Sequence, residues 1–229
     1  MTRRIAIIPA RGGSKRLPRK NLLPFLGRPI IVHTIEQAIV SDCFDRILVS
    51  TEDEEIAKTA REAGAAIHQR PARLATDTAT VTEVCLDILS TEEQAGSAYD
   101  VFACLYATAP LRRADDIKAV IGLIDGSTCN FAMAVTTYAV APHQALRVRP
   151  DGSLVAMWPD LVNRRATDLD PVVVDNGSTY AATISAFREH RSFYGPGLRG
   201  HPMPRERSVD IDEQIDYEMA CWYAEKLVG

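Results

Sequence analysis

The sequence predicts an α/β fold in which a mostly parallel sheet is covered by helices on both faces. Short, uninterrupted apolar runs alternate with longer amphipathic stretches along most of the 229 residues. Strands that are apolar on both faces are typical of a parallel sheet buried between helices, whereas a sheet with one face in water alternates apolar with polar residues. The chain is also long enough to bury a substantial core, since 46% of its residues are hydrophobic.

The first strand is predicted in "RIAIIPA", and the first helix in "PIIVHTIEQAIV". In that helix Ile31, Ile35, Ala38 and Ile39 share one face, and Pro29 suits the first turn. The same pattern then repeats. The further strands are "RILVST", "AAIHQ", "YDVFACLYA" and "FAMAVTTY", and the further helices are "DEEIAKTAREAG", "TVTEVCLDILSTEEQ" and "ADDIKAVIGLID".

The alternation stops within residues 139–170, which contain no long amphipathic stretch. Asp151 and Gly152 separate two extended runs there, and this is a hairpin signal. We interpret 139–170 as an insertion that projects from a core formed by 1–138 and 171–229. Beyond the insertion, "STYAATISAFREH" resumes the strand and helix pattern, and the chain ends in "ERSVDIDEQIDYEMACWYAEKL".

Composition argues against several classes of function. The formal net charge is −4 and basic residues are not interleaved with aromatic ones, so a nucleic-acid binder is the least favoured class. The apolar run Ile5–Ala10 is too short for a signal peptide or a membrane span, and we expect a cytoplasmic protein. The five cysteines are scattered without a C-x-x-C pair, and we expect buried, reduced thiols.

A basic segment, "ARGGSKRLPRKN", leaves the end of the first predicted strand, where ligands collect in parallel sheets. From Pro9 to Arg28 the chain has six basic residues and no acidic one. Gly12 and Gly13 allow a close backbone approach and supply N–H donors. Arg11 can hold phosphate oxygens bidentately, and Lys20 supplies a point charge. Although the common phosphate-loop motifs are absent, we favour a phosphate-binding loop over a solvated basic loop.

A pair of aspartates lies far along the chain in "VDID". Asp210 and Asp212 are two residues apart in an extended stretch, so both carboxylates face the same way. Two carboxylates and a polyphosphate make a normal Mg²⁺ site. The alternative is that Asp212 caps the following helix. We favour Mg²⁺ because the sequence also predicts a phosphate-binding loop.

These motifs together resemble the CMP-sialic acid synthetase family, the cytidylyltransferases that activate nine-carbon α-keto sugar acids. The resemblance is carried by "IIPARGGSKRLPRKNL", by the base-binding segment "RPARLATDTATV", by "VDNGSTY" near the sugar, and by "SVDIDEQIDYEMA" at the metal site. It implies a Rossmann-like fold of the nucleotide-diphospho-sugar transferase type. It also implies a homodimer in which a small projecting domain, here 139–170, exchanges contacts between subunits.

The sugar stays open at this level. In "LYATAPL" Tyr106 stands where sialic acid enzymes have a sugar-contacting glutamine, and this stretch looks more like the bacterial pseudaminic acid cytidylyltransferases. Those enzymes, however, typically have Asp-Ala-Gly-Gln-Phe-Tyr where this chain has "VDNGSTY". Pseudaminic, sialic and legionaminic acids therefore remain alternatives.

The resemblance implies that CTP and a nonulosonic acid give a CMP-sugar and pyrophosphate. The implied triphosphate and nucleoside contacts are Arg11, Ser14, Lys20 and Asn21, with Arg70, Ala75 and Thr78 around the cytosine and ribose. The implied sugar-side residues are Tyr106, Thr108, Gln144 and Tyr180, and Arg165 would meet a sugar carboxylate in the partner's site. The catalytic set is Arg11, Lys20, Asp210 and Asp212, with Mg²⁺ on the two aspartates.

Two other functions remain open. The nearer one is a cytidylyltransferase for the eight-carbon acid of lipopolysaccharide, a CMP-KDO synthetase, which the "RPARLATDTATV" segment and the separate D-x-D fit less well. The other is a catalytically idle nucleotide-binding module, and the intact aspartate pair argues against it.

Overall fold

The architecture was obtained as a computed structural model, which describes residues 2–228. The strands are β1 (Arg4–Pro9), β2 (Pro24–Phe25), β3 (Arg28–Pro29), β4 (Arg46–Thr51), β5 (Ala66–Gln69), β6 (Val101–Leu105), β7 (Phe131–Thr137), β8 (Leu146–Val148), β9 (Leu154–Ala156), β10 (Val173–Thr183) and β11 (Arg199–Pro202). The helices are α1 (Ile30–Ser41), α2 (Glu54–Glu62), α3 (Val81–Gln94), α4 (Ala114–Gly122), α5 (Ile184–His190) and α6 (Gln214–Val228).

Within residues 2–228, seven strands form one sheet in the order β11-β7-β10-β6-β1-β4-β5. β1 pairs in parallel with β4 and β6, β4 with β5, and β11 with β7, whereas β10 is antiparallel to both β6 and β7. β10 runs the other way because the chain returns to the sheet straight from the insertion, without the crossover helix that a parallel strand needs. The predicted mostly parallel α/β fold is confirmed.

Helices cover both faces of the sheet because β1 is apolar on both. Ala6 and Ile8 pack with α1, α2 and α4, and Ile5 and Ile7 pack with α3 and α5 on the other face. One residue of the first predicted helix face was placed wrongly. Ile39 is 46% exposed, although its side chain still reaches Gly64.

A third apolar cluster joins α6 to the loop after β1. It contains Leu17, Phe25, Ile30, Leu111, Val209, Ile211, Ala220 and Ala224, all of them buried. The aspartate segment before α6 is therefore packed against the basic loop, which brings two distant motifs together.

The predicted hairpin in the insertion is confirmed. β8 and β9 pair antiparallel, and Gly152 in the turn has a φ of +81°, which glycine adopts without strain. Leu146, Val148 and Leu154 lie on one face of the hairpin and are 49%, 68% and 59% exposed. An apolar face of the insertion is thus uncovered in the single chain.

The five cysteines all lie within the described residues and all are free thiols. Cys85, Cys104 and Cys129 are buried as expected, whereas Cys43 and Cys221 are half-buried. Of the helices in residues 2–228, none combines the length and the apolar character needed to cross a membrane.

Candidate active site

The candidate site lies at the carboxyl ends of β1 and β6, where the strand order places the ends of parallel strands side by side. A cleft of about 240 Å³, which we call the nucleotide cleft, opens there. Its lining includes six of the predicted site residues, namely Arg11, Lys20, Asn21, Arg70, Tyr106 and Thr108. It also includes Pro9, Thr76, Asp77, Ala79, Val81, Val84 and Ala107.

The basic loop is held against the start of α2. The Gly12 N–H donates to Oε1 of Glu52 at 2.8 Å, while Oε2 of Glu52 is buried and has no hydrogen-bond partner among the described residues. A Cβ on Gly12 would lie 2.7 Å from Oδ2 of Asp53, whose side chain caps α2. Glycine is therefore required at position 12 by packing. Gly13 has nothing within 4 Å of its Cβ position, so packing places no such demand there.

The cations of the basic loop are paired with acidic side chains. Nη1 of Arg11 lies 2.8 Å from Oδ1 of Asp77, and Nζ of Lys15 lies 2.5 Å from Oδ2 of the same residue. Hydrogen bonds from Lys15 and Arg11 lower the pKa of Asp77. Sequence reasoning missed Asp77, although it lies in the segment already assigned to the base. An incoming anion would have to replace Asp77 on Arg11.

The two aspartates of "VDID" are held by different partners. Asp210 accepts a hydrogen bond from Thr108 Oγ1 at 2.5 Å, and Asp212 accepts from Lys20 Nζ at 2.8 Å and from Arg16 Nη2 at 2.7 Å. Asp212 thus contacts the basic loop, while the N–H groups of Asp212 and Glu213 donate to Asp216. The carboxylate that accepts hydrogen bonds from the backbone just before α6 is therefore that of Asp216, not that of Asp212.

The pKa values of the two aspartates shift in opposite directions. Burial raises the pKa of Asp210. The hydrogen bond from Thr108 opposes this rise, and the nearby charge of Asp212 adds to it. Burial alone would raise the pKa of Asp212 as well, but Lys20 and Arg16 bring it below its ordinary value. A Cβ on Gly177 would lie 2.5 Å from Oδ2 of Asp210, so this glycine leaves room for the carboxylate. The two side chains are close enough to feel each other's charge.

A second cleft of about 380 Å³, the sugar-side cleft, lies next to the first. Tyr106 lines both clefts, and Tyr180 and Asp210 line the second. Sequence reasoning missed Asp175, whose Oδ2 accepts hydrogen bonds from the hydroxyls of Tyr180 at 2.9 Å and Tyr194 at 2.7 Å. Burial and the hydrogen bond to Asp175 raise the pKa of Tyr194 to about 12, so at neutral pH this hydroxyl keeps its proton.

A buried arginine behind the clefts was also missed. Arg112 is 2% exposed and donates to Ser178 O at 2.6 Å, to Thr34 Oγ1 at 2.8 Å and to Tyr106 O at 3.3 Å. Burial lowers its pKa to about 10. Arg112 joins α1, β10 and the end of β6, and so fixes the backbone of Tyr106. In "LRRAD" nothing distinguishes it from the exposed Arg113.

Among residues 2–228, eight predicted residues lie outside the linings of the two clefts, namely Gly12, Gly13, Ser14, Ala75, Thr78, Gln144, Arg165 and Asp212. Ser14 and Ala75 are half-buried nearby, and the Thr78 hydroxyl bonds to that of Thr76. Gln144 and Arg165 are exposed on the insertion. The contacts assigned to these residues stay predictions.

Known proteins are similar to this chain over most of its length. Residues 5–144 match the family model described as cytidylyltransferase. A pseudaminic acid cytidylyltransferase of Campylobacter jejuni is 34% identical over 217 residues, which are 94% of each chain. A CMP-N,N'-diacetyllegionaminic acid synthase of Legionella pneumophila is 34% identical over 219 residues, which are 94% of this chain and 93% of that one.

The fold is also found in solved structures. A CMP:2-keto-3-deoxy-manno-octonic acid synthetase complexed with CTP superposes with a TM-score of 0.74 over 99% of this chain and 100% of that chain, at 17% identity. Cytidylyltransferases of this type generally use a divalent metal ion. From the family match and the relatives that span nearly its whole length, the chain belongs to the cytidylyltransferase family and is a nucleotidyltransferase.

Proposed function

We propose that this enzyme transfers the CMP group of CTP to a nonulosonic acid and releases pyrophosphate. One observation carries the proposal. Thr108 lines the nucleotide cleft, Asp210 lines the sugar-side cleft, and a hydrogen bond of 2.5 Å joins them, so the two clefts meet at Asp210. The names of the Campylobacter and Legionella relatives support the same reaction class.

In the proposed reaction the anomeric hydroxyl of the sugar attacks the α-phosphorus of CTP. The new O–P bond forms as the bond to the pyrophosphate oxygen breaks, and the attacking hydroxyl loses its proton to water. Arg11 and Lys20 hold the triphosphate, exchanging Asp77 and Asp212 for phosphate oxygens, and Asn21 and Arg70 orient the nucleoside. Positioning and charge neutralisation carry such a transfer, so these residues need no covalent role.

We assign the divalent ion as Mg²⁺ and its protein ligands as Asp210 and Asp212. Carboxylate oxygens suit this ion, and the space left by Gly177 keeps the Asp210 carboxylate at the cleft. Residues 2–228 contain no cluster of three or more histidine, cysteine, aspartate or glutamate side chains that suits a metal. Asp210 and Asp212 would therefore hold the ion together with oxygens of CTP and water. When bound, Mg²⁺ supplies charge neutralisation and polarisation of the phosphate.

The sugar is proposed only as a class. The pseudaminic and legionaminic acid relatives are each 34% identical to this chain, so overall identity favours neither acid. A pyrophosphate-release assay with CTP, Mg²⁺ and pseudaminic, legionaminic or N-acetylneuraminic acid tests the proposal. We expect release with at least one of them. Release with KDO alone would replace the nine-carbon acid by the eight-carbon one, and CTP binding without release from any acid would indicate an idle module.

We further propose a homodimer formed through the insertion 139–170, with Arg165 acting in the partner's site. The apolar face of Leu146, Val148 and Leu154 supports this, because a two-stranded hairpin is marginal in water without something to cover it. A cytoplasmic location completes the proposal, and the free state of all five cysteines fits a reducing compartment.

A further inference from the structure

Behind the nucleotide cleft, Arg70 begins a chain of polar contacts that the proposed reaction does not use. Arg70 lines the cleft and is buried. Its Nε donates to Ser50 Oγ at 3.2 Å and its Nη2 donates to Ser50 O at 2.9 Å. Nη1 makes no hydrogen bond to any residue in the described part of the chain, so it is the nitrogen left for a ligand. Ser50 therefore fixes the guanidinium plane.

The contacts continue from Ser50 to the edge of the sheet. Ser50 on β4 is paired in register with His68 on β5, and Ser50 Oγ lies 3.2 Å from His68 Nδ1. On the far side of the ring, His68 Nε2 lies 3.5 Å from Oδ2 of Asp87 on α3. Ser50 is fully buried, so its hydroxyl has to find its partners among these groups.

The donors and acceptors fit only one protonation state of His68. Arg70 Nε can only donate, so Ser50 Oγ accepts from it. Among the described contacts of Ser50 Oγ, His68 Nδ1 is the one group that can accept the hydroxyl hydrogen. Nδ1 must then be unprotonated, which leaves the ring proton on Nε2, facing Asp87. A second proton, on Nδ1, would remove the acceptor of the Ser50 hydrogen and place a second cation beside Arg70.

We propose that neutral His68, acting through Ser50, is a positioning residue for the Arg70 guanidinium in the nucleotide cleft. The inference rests on the proposed function, since it assumes that Arg70 holds the nucleoside of CTP. Protonation of His68 should release Ser50 from its acceptor, loosen Arg70 and weaken CTP binding. The transfer step itself should be little affected once CTP is saturating.

Several charges act on His68. Asp87 and Glu92 face it from α3, and Arg70 faces it through Ser50. Asp87 is paired with Arg73, and Glu92 lies 3.1 Å from Arg46 of β4. Burial lowers the pKa of His68 below its ordinary value of 6.5, with Asp87 opposing the shift and Arg70 adding to it. His68 is thus neutral at pH 7 and gains its proton on the acid side.

Protons reach His68 without passing through the nucleotide cleft. His68, Arg73 and Asp87 line a separate open cleft of about 690 Å³ between β5 and α3. The residue can therefore follow the pH of the solvent while CTP occupies its own cleft. Because the coupling is reciprocal, bound CTP should also lower the pKa of His68.

The first test measures CTP affinity by calorimetry from pH 8 to pH 5, with kcat at saturating CTP alongside. His68→Leu and Ser50→Ala each break the chain of contacts, and we expect each to weaken CTP about tenfold at pH 7.5 with kcat changed less than about twofold. His68→Asn keeps an acceptor near Nδ1 and does not titrate, so it should bind CTP normally and lose the weakening at acid pH. His190→Asn, which changes an exposed histidine on α5, should behave as wild type.

The second test needs no nucleotide. In ¹⁵N-labelled protein, the Arg70 Nε–H resonance should shift with pH in step with His68, and it should stop doing so in His68→Asn. Normal CTP binding by His68→Leu and Ser50→Ala, or an Arg70 resonance that ignores His68, would overturn the relay. Absence of CTP binding by the wild type would overturn the proposed function, while the Arg70 resonance would still decide the relay.

Discussion

At the scale of single residues, the candidate site is a set of charges that neutralise one another. Arg11 is paired with Asp77, and Lys20 with Asp212. Each pair joins a cation of the basic loop to a carboxylate from a distant part of the chain. A triphosphate with a divalent ion can replace both ion pairs at once. The phosphates would bind Arg11 and Lys20, and the metal ion would bind the carboxylate of Asp212.

The first prediction concerns Arg11. We expect Arg11→Ala to lower kcat/KM for CTP at least about 10²-fold, because a charge-assisted phosphate contact contributes about 1.5–3 kcal/mol and more in a transition state. Steady-state pyrophosphate release measures it. Arg61→Ala, which removes an exposed arginine from α2, is the control and should leave the rate unchanged. A near-normal rate in Arg11→Ala would exclude the phosphate-loop assignment.

The second prediction concerns the aspartate pair. Asp212→Asn should lower kcat at least about 10²-fold and leave the fold intact, because an amide is a poor ligand for Mg²⁺ and no longer balances Lys20. Glu213→Gln, a neighbouring exposed acid, is the matched control and should remain active. Turnover by the wild type in excess chelator, or by Asp212→Asn in Mg²⁺, would show that the metal assignment is wrong.

At the scale of elements, Asp116 on α4 holds the segment that leads to Asp210. Its carboxylate accepts two hydrogen bonds from Arg207, lies 3.3 Å from His201 Nε2 of β11, and accepts from the Arg113 N–H at the start of α4. Asp116 and Arg207 are largely buried. The segment before the aspartate pair is therefore held by Asp116, which lies 91 residues before Arg207 in the sequence.

The third prediction follows from that contact. Asp116→Asn should lower the free energy of unfolding by about 2–3 kcal/mol, because it leaves Arg207 largely buried without a charged partner. Urea unfolding at pH 7 measures it. Asp115→Asn changes the adjacent, 92% exposed aspartate and should have little effect.

The same contact should make stability depend on pH. Burial alone would raise the pKa of Asp116, but Arg207, the Arg113 N–H and His201 together hold it below 3.8. A carboxyl group with a lowered pKa stabilises the fold fully above its unfolded value and loses that contribution as pH falls through the folded value. The decrease in the free energy of unfolding below about pH 4 should therefore be smaller in Asp116→Asn than in the wild type. Equal losses in both proteins would contradict this prediction.

Elements also show what sequence reasoning can reach. The strands β1, β4, β6 and β7 were all predicted, because their apolar runs report burial on both faces. The two-residue strands β2 and β3 were not predicted. β11 was missed because Arg199, Gly200, His201 and Pro202 contain no apolar run. It is a strand because it pairs with β7, and a Cβ on Gly200 would lie 3.0 Å from Val135. Contacts of this kind depend on the tertiary structure.

The residues of the candidate site also fall into two groups, those that sequence motifs indicate and those that only the fold brings together. Arg11, Lys20, Asp210 and Asp212 could be proposed from the sequence because each lies in a motif with its own chemical signature. Asp77, Arg112 and Asp175 could not, since their importance comes from partners that the fold alone brings near. A buried Arg112 looks like any surface arginine until the strands around it are known.

At the scale of the whole molecule, the insertion differs from the core in the apolar surface that it leaves exposed. The core covers both faces of its sheet, whereas the hairpin leaves Leu146, Val148 and Leu154 exposed on one face. Trp158 and Met157 beside it are also exposed. A second copy of the chain can cover this face in a twofold arrangement, and Arg165 would then be carried towards the partner's clefts.

The fourth prediction tests both the dimer and the role of Arg165. Asp212→Asn and Arg165→Ala should each be nearly inactive alone. In a mixed dimer, the subunit with Arg165→Ala keeps its own Asp212 and receives Arg165 from its partner, so one of the two sites is whole. After random subunit exchange, half the dimers are mixed, and activity should return to about a quarter of the wild-type level. Asp212→Asn mixed with Arg11→Ala is the control, because both residues act in the site of their own subunit and no mixed dimer then contains a whole site.

Sedimentation velocity checks the assembly, and a Val148→Asp change on the hairpin face should shift the protein from dimer towards monomer. A wild-type monomer, or no recovery of activity after demonstrated exchange, would contradict the proposed assembly.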